Sequence, residues 1–142
     1  MTLNLAKART ILAACLTKGG ELGLKPLTVA VLDAGGALLA LERQDGAARM
    51  RPEIAIGKAY GAIALGMGSR AIFNRAEQQP FFIQSMNALA GGSLVPVPGG
   101  VLIRDGAGGA ILGAVGITGD TSDNDETAAL AGVEAGGFTA EA

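Results

Sequence analysis

The chain has no histidine and no tryptophan, one tyrosine, four phenylalanines and one cysteine in 142 residues. Without histidine the commonest general base and the commonest proximal haem ligand are missing, so Ser-His and Cys-His nucleophile pairs are excluded. The single Cys15 cannot form an intramolecular disulfide, which fits a reducing compartment and places the chain in the cytoplasm. Long apolar runs are absent as well. No stretch reaches the roughly 18 uncharged residues of a membrane span without several glycines, and Tyr60 to Met67 comes nearest. The first residues are interrupted by Asn4, Lys7 and Arg9, which does not suit the apolar core of a signal peptide. Charge of one sign is not in excess: the net charge of −2 leaves no basic face, so neither a nucleic acid nor a membrane is an expected partner.

Small residues are what the sequence has in quantity, with 23 glycines and many alanines. They permit close backbone approach but leave little large apolar surface to stabilise a lone monomer, so a homo-oligomer, dimer or larger, is expected. The length suits one domain, residues 1–142, with a core of its own.

The pattern along the chain predicts a first helix over residues 3–18, with Leu5, Ala8, Leu12, Cys15 and Leu16 on one face and Gly19-Gly20 at its end. Two strands follow, Leu27 to Leu32 and Ala37 to Arg43, joined at the turn Asp33-Ala34-Gly35-Gly36. Pro52 opens a helix that runs to Gly66-Met67-Gly68; Ser69 caps a short one, and Phe81 to Leu89 adds one or two more turns. The last third reads as strand Leu94 to Pro98, strand Val101 to Ile103, a glycine-rich turn, strand Ala110 to Thr118, and a helix whose start is supplied with oxygens by Ser122 to Glu126. Hairpin connections make the sheet mainly antiparallel. The fold class is α+β, a five-stranded sheet covered by helices on one or both faces.

Four segments together resemble the GlcG/HbpS family: Val29-Ala30-Val31-Leu32-Asp33-Ala34-Gly35-Gly36, Arg43-Gln44-Asp45-Gly46-Ala47, Ile54-Ala55-Ile56-Gly57-Lys58-Ala59, and Gly113 to Gly119 with Asp125-Glu126 and Ala131-Gly132. This family is labelled haem-binding or haem-degrading and also occurs as the C-terminal domain of PduO-type cobalamin adenosyltransferases. The resemblance implies a profilin-like layered fold, closed oligomers, and either a haem ligand or a place in the catabolism of small organic acids and diols. Since there is no histidine, a haem iron here would fall to Cys15, Tyr60, Met1, Met50, Met67 or Met86.

Chemistry-bearing residues crowd between Arg43 and Lys58, where Arg43, Asp45, Arg49, Arg51, Glu53 and Lys58 occur within sixteen positions of a chain with only 17% charged residues. Arg51 and Lys58 are seven apart, so a helix containing both puts them on one face. Arginines at a strand end and a helix start suit a carboxylate or phosphate ligand; a solvated helix start laced with ion pairs is the other reading. Tyr60, Gly99 and Gly100 complete the candidate ligand-binding set of Arg43, Arg51 and Lys58, although a hairpin turn also accounts for the two glycines. Asp120, Asp123, Asp125 and Glu126 lack the calcium-loop spacing and are read as helix-start residues, so no metal is expected. Two functions follow. One is a small-molecule-binding protein for an anionic metabolite, or for haem without histidine ligation. The other is a small cofactor-independent lyase, hydratase or isomerase acting on an organic acid, with Lys58 or Glu53 as the proton-transfer group.

Overall fold

The computed structural model describes residues 1–142. Helix α1 (Leu5–Glu21) is capped by Asn4, whose side chain accepts the Lys7 amide at 2.9 Å. Its buried face is Ala8, Ile11, Leu12, Cys15 and Gly19, whereas Leu5 is 43% exposed and stands off it. Gly19-Gly20 does not end this helix. Leu27 packs where a Gly19 side chain would stand, so tertiary contact carries the helix through two poor helix formers.

Strands β1 (Thr28–Asp33) and β2 (Leu38–Arg43) form a hairpin in which Asp33 Oδ1 accepts the Gly35 and Ala37 amides, each at 2.9 Å. Helix α2 (Arg51–Leu65) has Pro52 in its first turn and stops at Gly66, left-handed at φ 69°. Helices α3 (Ser69–Gln78) and α4 (Pro80–Leu89) lead to β3 (Gly100–Arg104), β4 (Ile111–Thr118), α5 (Ser122–Ala135) and β5 (Thr139–Glu141).

All strands join one open antiparallel sheet in the order β2-β1-β4-β3-β5, so the protein is α+β with five strands. One expected strand is wrong: Leu94 to Pro98 is irregular, because Pro96 and Pro98 have no N–H to give a ladder. The fifth strand is β5 instead, brought back against β3 after α5. Two helix starts also differ from expectation. Ser69 is not the cap of α3 but its first helical residue, and its hydroxyl accepts the Gly100 amide at 2.6 Å. Thr121 rather than Ser122 caps α5, accepting from the Asn124 amide at 3.2 Å.

Both faces of the sheet are covered. Val29, Val31, Val101, Ile103, Val115 and Ile117 point to the side occupied by α1 and α5. Leu32, Leu102 and Ala114 point to α2, meeting Ala59 and Ala62. Burial on two faces explains why β1 and β4 read as continuous apolar runs rather than as alternating ones. Helix α2 lies unusually close because two facing positions have no Cβ: a methyl on Gly116 would strike Ala55 O, and one on Gly100 would strike Lys58 O.

Candidate functional site

That close approach buries a lysine. Ala55, Ala59 and Ala62 lie with Lys58 on the face of α2 turned to the sheet, and Lys58 is only 2% exposed. Its Nζ donates to Ile117 O at 2.8 Å and to Asp125 Oδ2 at 3.2 Å. The other carboxylate oxygen of Asp125 accepts the Asp120 amide at 3.0 Å. Gly99, at φ 124°, and Gly100 leave the space in which the lysine lies; a Cβ on Gly99 would come within 2.9 Å of Nζ. Burial pushes the Lys58 ammonium below its ordinary value, the Asp125 carboxylate opposes that shift, and the charge of Arg51 adds to it. Burial likewise raises the Asp125 carboxyl.

Gly99 and Gly100 are themselves buried, so they seat Lys58 and do not face an open ligand site. Lys58, sealed and paired, is a positioning residue that ties α2 to β4 and α5. Nor does the structure bring Glu53 to it: Glu53 is exposed and holds Arg49 Nη1 at 2.8 Å, a hydrogen bond that keeps its carboxyl below the usual range. The two candidate proton-transfer groups therefore lie apart, Lys58 sealed beneath α2 and Glu53 at the surface.

Arg43 and Arg51 are placed differently. Arg51, the first residue of α2, donates from Nη1 to Thr118 Oγ1 at 2.7 Å, and Arg43, at the end of β2, donates to Ala47 O at 2.8 Å. Neither arginine belongs to an ion pair. Ladder register sets Arg43, Thr28 and Thr118 side by side across β2, β1 and β4, so their side chains share the face that α2 covers. The Thr28 hydroxyl in the middle of that row is buried and makes no hydrogen bond. Beside it, Leu24, Pro26, Arg43, Gln44 and Asp45 line an open cleft of about 550 Å³. Tyr60 is not part of this group. Its ring packs beneath Gly36 of the β1–β2 turn, at the opposite end of β1 from Thr28.

No cluster of three His, Cys, Asp or Glu side chains is arranged to hold a metal ion. Asp123 and Glu126 engage Arg70 of α3, and Asp125 is committed to Lys58. The candidate iron ligands do not converge either. Cys15 is sealed against Gly132 with its thiol pushed up to about 12 by burial; Met67 and Met86 pack around Ile72, Ile83 and Leu94; Met50, 63% exposed, borders an apolar cleft with Ile54, Ile56 and Val95. A haem-ligating set is not assembled within one chain.

Thr28 and Thr118 were not among the candidate site residues read from the sequence, and Asp125 was read only as a helix-start residue. Asp125 was discoverable in principle: it precedes Ala128, Ala129, Gly132 and Val133 at helical spacing, an acid on an apolar stripe, as Lys58 is a base on one. Thr28 and Thr118 carry no such mark, since register alone puts them together.

An open antiparallel sheet with α1 and α5 on one face and α2 on the other, cross-linked by a buried ion pair, defines a layered α+β protein. The model of the family described as haem degrading protein HbpS-like matches residues 3–134, and the chain belongs to that family. It is 30% identical over 124 residues to an uncharacterized 15.0 kDa protein from the dhaT-dhaS intergenic region of Citrobacter freundii, covering 87% of this chain and 84% of that one. Among solved structures it is similar to a PduOC:heme complex, with a TM-score of 0.86 at 22% identity over 100% of both chains. A double variant of Streptomyces reticuli HbpS gives a TM-score of 0.80 at 26% identity, covering 94% of this chain and 86% of that one. No helix is long and apolar enough to cross a membrane.

Proposed function

We propose that this HbpS-like chain binds a small anionic metabolite at the end of the sheet where Arg43 and Arg51 stand. One observation carries the reading: two arginines without carboxylate partners flank a row in which the buried Thr28 hydroxyl has no hydrogen bond. Buried hydroxyls are almost always paired, and arginine grips carboxylates in a fork that fits two oxygens at once. Arg51 reaches Thr118 through a single bond on a long side chain. Swinging away to meet a carboxylate, it frees the Thr118 hydroxyl as a further donor. Lys58 and Asp125 act beneath the site by fixing α2 on β4.

Haem enters this reading only through its carboxylates, held without iron ligation from this chain. A setting in the cytoplasm and a part in organic acid catabolism accord with the one buried thiol and with the acid-binding chemistry. Calorimetric titration with a panel of short mono- and dicarboxylates, inorganic phosphate and ferric haem tests the proposal. Saturable binding of at least one carboxylate, weakened in Arg51→Leu, is expected. Binding that survives the loss of both Arg43 and Arg51 places the ligand elsewhere.

A further inference from the structure

The cleft beside the Thr28 row is walled by Leu24 and Pro26 on one side and by Arg43, Gln44 and Asp45 on the other. A tight turn sets the second wall. The Ala47 amide donates to Gln44 O at 3.1 Å and Gly46 takes φ 89°, which puts Asp45 at the first corner of the turn. Arg43 Nη1 donates across it to Ala47 O at 2.8 Å. A Gly46 Cβ would come within 3.4 Å of Pro26, so the turn is held close to the opposite wall.

Each of the three polar side chains has a group left unused. The Leu27 amide can only donate, so the end of Gln44 that meets it at 2.7 Å must be Oε1, and the NH2 end has no partner in the chain. Arg43 meets no carboxylate. Asp45 is exposed and belongs to no ion pair, although Arg43 lines the same cleft. The site thus holds unpaired charges of both signs, positive on Arg43 and Arg51 and negative on Asp45. A plain dicarboxylate suits the arginines but is repelled at Asp45, and a neutral amino acid suits Asp45 and one arginine but leaves the other unmet.

We infer that the ligand at this end of the sheet is an acidic amino acid, an anion with two carboxylates and one protonated amine. Its ammonium lies on Asp45, the neighbouring carboxylate on Arg43 and the Gln44 NH2, and the second carboxylate on Arg51. Leu24 and Pro26 offer an apolar wall to the methylene groups. This inference rests on the carboxylate-binding role proposed above and adds the amine to it. Charges of both signs also fix the orientation, because a reversed ligand would bring like charges together.

Calorimetric titration of the full chain with three kinds of compound tests the assignment: aspartate and glutamate; succinate and glutarate, which lack the amine; and alanine, which lacks the second carboxylate. Aspartate or glutamate should bind about tenfold or more tighter than its amine-free counterpart and than alanine. Asp45→Asn should weaken the amino diacid and strengthen the plain diacid, so that the preference disappears. Asp45 is exposed, and unfolding curves of the variant should overlay the parent's. Plain diacids that bind as tightly as the amino diacids, or a preference that survives Asp45→Asn, would overturn the assignment and leave carboxylate binding standing. Binding of none of the five overturns it too, and the broader role falls only if every carboxylate of the larger panel also fails.

Discussion

Lys58 and Asp125, 67 residues apart in sequence, meet at 3.2 Å with side chains only 2% and 1% exposed. The pair joins the middle of α2 to the first turn of α5, and Ile117 O and the Asp120 amide take up the remaining polar groups around it. Excluding two charges from water is costly, so such a pair stands or falls as a unit.

Breaking the pair should therefore destabilise strongly. Lys58→Met or Asp125→Asn is expected to cost on the order of 3–5 kcal/mol in urea unfolding, because each leaves its partner buried and alone. Lys58→Met combined with Asp125→Leu should recover most of that loss. Single variants as stable as the parent would show that water reaches the pair.

The arginines should behave in the opposite way. Arg51→Leu is expected to weaken binding of a carboxylate ligand by about 1.5–3 kcal/mol, the range for a charge-assisted hydrogen bond, with little change in stability. Thr28→Val keeps the shape of the side chain and removes the unpaired hydroxyl. It should hold or raise stability while lowering affinity. Calorimetry beside thermal unfolding separates these effects, and a ligand indifferent to both changes would empty this site of meaning.

Acid stability should depend on Asp120. Its carboxylate accepts from Asn124 Nδ2 at 2.8 Å, from the Lys25 amide at 2.9 Å and from the Thr121 amide at 2.8 Å, and these bonds pull it down to about 2. The folded value lies below the ordinary one of about 3.9, so the unfolded chain takes up a proton first as the pH falls. The contribution is complete above that value and is lost on the way down towards pH 2. Asp125, raised by burial, works with the opposite sign, since protonation relieves the native state first. Unfolding curves of the parent and Asp120→Ala should converge as the pH drops through this window; parallel curves would remove Asp120 from the account.

Glycines should divide by what stands opposite them. Gly116→Ala drives a methyl into Ala55 O, a backbone atom that cannot turn aside, and should cost about 1–3 kcal/mol or more. Gly20→Ala, inside α1 with nothing within 4 Å of the new methyl, should stabilise by about 0.5–1 kcal/mol. Equal effects of the two in chemical denaturation would mean that α2 does not sit as close to β4 as described.

Much of the chain was determined locally and could be read from the sequence. The Asp33 to Gly36 turn dictates its hairpin through a side chain that bonds its own loop, and apolar runs such as Val29 to Leu32 and Val115 to Ile117 are buried on both sides wherever they are placed. The spacing of Arg51 and Lys58 on α2 followed from helical geometry alone. What tertiary structure decided is everything that depends on partners distant in sequence. Thr139 to Glu141 is a strand only because β3 offers it an edge, while Leu94 to Pro98, which looks more like one, has prolines where amides are needed. Lys58 and Arg51 carry the same charge on the same face, yet one is sealed against Asp125 and the other ends on a threonine hydroxyl. Their fates differ because Gly99, Gly100 and Gly116 let the middle of α2 close on the sheet, and no local preference of the α2 sequence encodes how near that sheet will come.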